Sequence, residues 1–228
     1  MASMRPEYQQ KVALASLLAP GGYERHFTNP FITPFIVRHK ELTKLANTFN
    51  IYELPPYRMK YNELILSACT TALFNDICSS IYHMVSGGDS GELNNKILPI
   101  MFKYLPTVSV KQLLHFAQVI DSGHMRQWDY GRKKNMEVYG QPEPPDYPVE
   151  NISVPTAMYY SLADNLAFAK DIEDICDTIQ NCIRKFLMPN KKWTHMDFLA
   201  SKNLEHELNE PLLEFIQEFE NAKKPDNF

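Results

Sequence analysis

Val154-Pro155-Thr156-Ala157-Met158-Tyr159-Tyr160, running into Ser161-Leu162-Ala163-Asp164, and the later run Ile183 to Met188, leading to Trp193-Thr194-His195-Met196-Asp197-Phe198, decide how this chain is read. The first run is short, apolar and aromatic and carries a proline near its start. It reads as a buried strand that delivers a carboxylate, Asp164, into a loop. The second run has the same texture and delivers an imidazole, His195. Two strand ends, one bearing Asp and the next bearing His, are what a sheet needs to orient a general base. The nucleophile that such a base serves is not in this stretch.

Working outward, Lys170 to Asn181 reads as a helix between the two strands. Beyond His195, Asn209-Glu210-Pro211 puts a proline near the first turn of a closing helix with Leu212, Leu213, Ile216 and Phe219 on its apolar face. At the other end, Arg5 to Gln10 reads as the end of a helix. Val12 to Ala19 follows as a near-continuous apolar run of strand length, stopped by Pro20-Gly21-Gly22. From Tyr23 to Pro148 the texture changes to proline-interrupted helical pieces. Phe35, Ile36, Leu42, Leu45 and Phe49 have helical spacing and are expected to form core, and Tyr61 to Leu66 opens another helix. Ser109 is placed to N-cap a helix through Val110, Leu113, Leu114, Ala117 and Ile120 that Gly123 closes. Tyr139 to Pro148 reads as an extended strap back to the sheet.

Composition excludes several functions. The chain has 228 residues, 44% of them hydrophobic, and a net charge of −4, so it is a globular protein and not a disordered one. Its basic residues are scattered, and the longest cluster, Arg132-Lys133-Lys134, is a solvated loop; nucleic acid is not expected as a partner. No apolar run reaches the roughly 18 residues of a membrane span, and no signal-peptide pattern opens the sequence. The seven histidines do not fall at ligand spacing with cysteines or carboxylates, so no metal is expected. Gly88-Asp89-Ser90-Gly91 imitates the surroundings of a protease serine, but Glu92 stands where a G-x-S-x-G elbow needs its second glycine, and Ser90 reads as part of a turn. Cys69, Cys78, Cys176 and Cys182 allow three pairings.

Val154-Pro155-Thr156-Ala157 leading to Ala163-Asp164, then His195-x-Asp197-Phe198, resembles the C-terminal half of the acid lipases, the α/β-hydrolase family of gastric and lysosomal lipases. The resemblance continues backward through Gln112-Leu113-Leu114-His115-Phe116-Ala117-Gln118, Asp129-Tyr130-Gly131, Pro144-Pro145-x-Tyr147 and Met1 to Tyr8, so that it covers nearly the whole chain. It implies an α/β fold, the C-terminal part of a mostly parallel α/β-hydrolase sheet, with a largely helical cap inserted. Residues 1–22 would be core, 23–148 the cap, and 149–228 the core that carries the site.

The same resemblance implies hydrolysis of acylglycerols or sterol esters by Ser-His-Asp acyl transfer at a lipid–water interface, with no cofactor. Asp164 would hold the Nδ1 proton of His195, and Asp197 would be a structural partner of the His195 loop. The family's serine elbow and oxyanion loop fall before Met1, so this chain is expected to be a fragment that is inactive alone, with a long apolar sheet edge exposed. The alternative is a non-catalytic lipid-binding or vestigial protein. The family also implies a Cys69–Cys78 disulfide; Cys176 and Cys182 are expected to be core residues. Family members are secreted or lysosomal, whereas the sequence as it stands would remain cytosolic. On a secretory route, Asn151 of Asn151-Ile152-Ser153 becomes a glycosylation acceptor.

Overall fold

The computed structural model describes residues 1–54, 71–94, 97, 100–101 and 106–223. Its centre is the predicted strand–helix–strand unit. β4 (Thr156–Tyr160) lies between β1 (Ala15–Leu18) and β5 (Cys182–Leu187), and both pairings are parallel. Ala15 sits opposite Thr156 and Leu18 opposite Tyr159; on the other side Tyr160 faces Leu187, after a register shift between Thr156 and Ala157. All five residues of β4 are buried. A strand covered on both faces cannot alternate apolar and polar residues, which is why its sequence is a continuous apolar run. β1 is paired on one side only among the described residues, and Leu17 and Leu18 on it remain exposed.

The crossover from β4 to β5 is α6 (Ala169–Thr178), which buries Ile172, Ile175 and Cys176 against the sheet. Met158, Tyr159, Met188, Trp193, Phe198 and Leu208 complete this core. Cys176 and Cys182 are indeed part of it, but they are also joined to each other as a disulfide, which corrects their reading as unpaired core residues. The helix ends at Thr178 and β5 starts at Cys182, so the tight turn folds one sulfur back onto the other. Cys78 is disulfide-bonded as well; Cys69, its expected partner, lies outside the described residues. The opening helix is a 3-10 turn, Pro6–Lys11, and the closing helix is α8 (Glu210–Lys223).

Between β1 and β4 the described residues are largely helical. α1 (Thr33–Ile36) and α2 (His39–Phe49) are followed by β2 (Glu53–Leu54), which pairs antiparallel with β3 (Val108–Ser109). α3 (Ala72–Ser86), α4 (Val110–Ser122) and α5 (Arg132–Tyr139) are the other helices among the described residues there. The helix expected over Tyr61 to Leu66 lies outside the described residues. Ser109 does precede α4 but makes no side-chain capping bond; Gly123 ends the helix in the left-handed conformation, φ +66. The stripe on α1 and α2 departs from expectation. Ile36 and Ala46 are buried, yet Phe35, Leu45 and Phe49 are 63%, 50% and 65% exposed. Three of the five residues that the periodicity assigned to core are therefore open apolar surface.

Candidate active site

Asp164 follows β4 and His195 follows β5, and the parallel pairing of the two strands brings their loops to the same edge of the sheet. His195 Nδ1 lies 2.9 Å from Asp164 Oδ2. With the carboxylate as acceptor the proton of this bond sits on Nδ1, and Nε2 makes no hydrogen bond among the described residues. Asp164 is fully buried at its side chain, whereas the imidazole is 30% exposed. The second carboxylate oxygen, Oδ1, accepts the backbone N–H groups of Leu166 and Ala167, both at 2.8 Å. Asp164 thus terminates its own loop and orients the imidazole with the same group.

The His195 loop is held independently. Asp197 Oδ2 accepts the N–H and the hydroxyl of Thr194, at 2.6 and 2.8 Å, the structural role expected of Asp197. Trp193 is fully buried and packs edge-on against Phe198, with ring centroids 6.0 Å apart. Ser90, the protease-like decoy, accepts the Glu92 N–H through its Oγ in a local turn. Asn151 is exposed at the end of a 3-10 turn, Val149–Asn151.

Sequence reasoning missed Glu24. Its backbone has φ +55, its side chain is buried, and Oε1 accepts the Gly22 N–H at 3.0 Å. Burial pushes this carboxyl up to about 7; the negative charges of Asp171 and Asp164 act in the same direction, and the Gly22 N–H and His195 oppose it. Below that pH it is protonated and adds no charge beside Asp164. Nothing in Pro20-Gly21-Gly22-Tyr23-Glu24 distinguishes this glutamate from a solvated turn residue, because the charged groups that act on it, Asp164, Asp171 and His195, are remote in the chain.

Asp171 on α6 clamps the same loop. Its carboxylate accepts the N–H groups of Arg25 and His26 and contacts His26 Nδ1 at 2.9 Å. With Asp174, His26 and Asp171 form a group whose ligand atoms lie within 4.8 Å of one another, a proximity that the sequence spacing did not show. Both Asp171 oxygens are already engaged by protein donors and Asp174 pairs with Lys170 at 2.8 Å, which makes the group a structural clamp.

An apolar cleft of about 560 Å³ opens between α1, α2 and α4, lined among others by Phe35, Leu45, Leu54, Leu113 and Phe116. Phe116 also faces Gly21, whose added Cβ would stand 3.6 Å from its ring and 3.2 Å from Glu24 Oε1. Phe116, Phe27 and Phe168 make a chain of edge-to-face contacts that links the cleft wall to the loop after Asp164.

No protein-family model matches the chain. Among curated proteins, it is 31% identical to Lipase 1 of Drosophila melanogaster over 95% of its own length, and 28% identical to human Lipase member K over 95%. It is 31% identical to a putative lysosomal acid lipase/cholesteryl ester hydrolase of Crotalus adamanteus over 86%. It spans about half the length of these relatives, 48%, 54% and 48% respectively. Among solved structures, an α/β hydrolase from a deep-sea metagenome library overlaps 99% of this chain and 63% of its own at 15% identity, with a TM-score of 0.36. Along nearly all of its length this chain is similar to lipases, and it carries the parallel strand order and the Asp–His arrangement that the resemblance to acid lipases implies.

Proposed function

We propose that this chain supplies the acid and the base of a carboxylic ester hydrolase that acts on acylglycerols or sterol esters. The observation that carries the reading is the Asp164–His195 hydrogen bond at the ends of two adjacent parallel strands, with Nε2 making no hydrogen bond among the described residues. In this role Nε2 removes the proton of a serine nucleophile, Asp164 stabilises the imidazolium that forms, and the proton then passes to the leaving alcohol. The sequence contains no G-x-S-x-G elbow, so the nucleophile and the oxyanion donors are assigned to polypeptide outside these 228 residues. Residues 23–148 act as the cap, and the apolar cleft accepts the acyl or sterol portion of the ester. Disulfide bonding of Cys176, Cys182 and Cys78 supports folding in an oxidising compartment, on a secreted or lysosomal route, with Asn151 available as a glycan acceptor.

The test is esterase activity and labelling by a serine-directed fluorophosphonate. The 228-residue chain is expected to show neither, and a version extended through a serine elbow to show both, with loss of both in His195→Ala. Activity of the short chain that disappears in Ser90→Ala overturns the reading. A second reading, a non-catalytic lipid-binding protein, is favoured by the cleft, which needs no nucleophile. Lipid that co-purifies with the 228-residue chain, combined with inactivity of the extended one, selects it.

A further inference from the structure

α3 ends against the Asp–His pair. The carbonyl of Ser86, its last residue, accepts the backbone N–H of His195 at 3.2 Å. The next residue, Gly87, has φ +126, and a Cβ placed on it would lie 2.0 Å from the carbonyl oxygen of Ala163 and 3.4 Å from the Asn165 nitrogen. Ser86-Gly87 therefore touches backbone on both sides of the pair, at the residue that bears the imidazole and at the two residues that flank the carboxylate. Neighbouring bonds fix it there. Buried Asn29 donates to the carbonyls of Val85 and Asn165. Glu92 accepts from Asn190, Ser201 and Asn203, before and after His195. Tyr82 and Leu93 pack with Met196 and Ala200.

None of these bonds belongs to the parallel sheet. β4 and β5 fix where the two loops leave the sheet, but Asp164 and His195 each stand several residues beyond a strand end. A hydrogen bond loses strength quickly once its distance and angle drift, so loops of this length need a further contact to hold it. We infer that Gly87 is a positioning residue for the Asp164–His195 pair, and that the Ser86-Gly87 turn, contributed by the helical segment, sets the spacing of the two loops. The inference rests on the Asp–His reading proposed above and adds to it a part of the site that lies outside the sheet.

The experiment compares Gly87→Ala with Gly88→Ala in the 228-residue chain. Both glycines have positive φ, +126 and +111, so alanine strains the backbone at either; only at Gly87 does the new Cβ meet backbone, since nothing lies within 4 Å of it at Gly88. The readout is the downfield proton resonance of His195 Nδ1–H, identified by its loss in Asp164→Ala, together with hydrogen exchange of the His195 amide. Wild type and Gly88→Ala are expected to share the resonance. In Gly87→Ala it shifts or vanishes, and the amide exchanges at least about tenfold faster. A resonance and a protection unchanged in Gly87→Ala overturn the inference alone, whereas a resonance missing from wild type overturns the Asp–His reading beneath it. Should Gly87→Ala fail to fold, Asn29→Ala removes the donor that ties the Val85 carbonyl beside this turn to the Asn165 carbonyl without introducing a clash; a smaller shift in the same direction is expected, and no shift overturns the inference.

Discussion

The loops after β4 and β5 and the cleft between α1, α2 and α4 are built on opposite principles. In the loops the acid of the pair is buried and bonded: Asp164 accepts three hydrogen bonds, and the neighbouring Thr194 is tied to Asp197. In the cleft, large apolar side chains such as Phe35 and Leu45 stand half exposed or more. Burial fixes geometry and exposure leaves surface free for a ligand, so the chemistry and the apolar-substrate recognition proposed above would reside in parts of the chain built in different ways. Substitutions in the two regions should therefore separate loss of fold from loss of binding.

The largest effect belongs to Asp164→Ala. It strips the acceptor from two backbone N–H groups and from the imidazole, and unmade buried bonds of this kind cost about 3 kcal/mol or more. For a chain of this size, a fall in Tm of about 6–12 °C is expected by calorimetry. Asp164→Asn, which keeps one acceptor oxygen, should lose less. Equal losses for the two would mean that the charge, and not the hydrogen-bonded turn, holds the loop.

Next comes removal of the Cys176–Cys182 bond. It closes a short loop, and constraint of the unfolded chain by so short a loop is worth about 2 kcal/mol. Cys176→Ser with Cys182→Ser should lower Tm by about 4–8 °C. This pair also shows where sequence reading stopped. The runs that became β4 and β5, and the Asp and His that follow them, were legible because each signal is local: a short run of strand-forming residues and the residue type after it. The disulfide was not, because the turn from α6 into β5 had to be known before two cysteines on different elements could be set side by side. Gly87 and Glu24 failed for the same reason. What makes Gly87 obligatory is the carbonyl of Ala163, and what surrounds Glu24 includes Asp164, Asp171 and His195, all remote in the chain. The α1–α2 stripe misled in the opposite sense, since helical periodicity identifies an apolar face but not whether another element covers it.

A smaller, pH-dependent effect comes from Glu24. Burial raises its carboxyl from the ordinary 4.5 to about 7. Between those values the folded chain keeps a proton that the unfolded chain has released, so its contribution to stability falls as pH rises through this window and is constant above it. Glu24→Gln removes the slope. The Tm of wild type relative to Glu24→Gln should drop between pH 4.5 and pH 7 by the equivalent of about 1–3 kcal/mol. Parallel curves for the two proteins would show that the carboxyl ionises with little penalty and that Asp164 shares the site with a second negative charge.

The smallest effect on stability is expected in the cleft, and it tests the contrast between the two regions most directly. Phe35 and Leu45 are 63% and 50% exposed, so Phe35→Ser and Leu45→Ser should each change stability by no more than about 0.5 kcal/mol. Both line the apolar cleft, and a hydroxyl there places a polar group against a hydrocarbon chain without a bonding partner. Binding of a fluorescent long-chain fatty acid ester, read by titration at a temperature well below Tm, should weaken by roughly five- to tenfold per substitution, about 1–1.4 kcal/mol. Substitutions that unfold the chain would place these side chains in its core after all, and substitutions that leave both Tm and binding untouched would remove the cleft from substrate recognition. Weaker binding at unchanged Tm is the combination that assigns recognition to the helical segment and leaves the geometry of Asp164 and His195 to the buried loops.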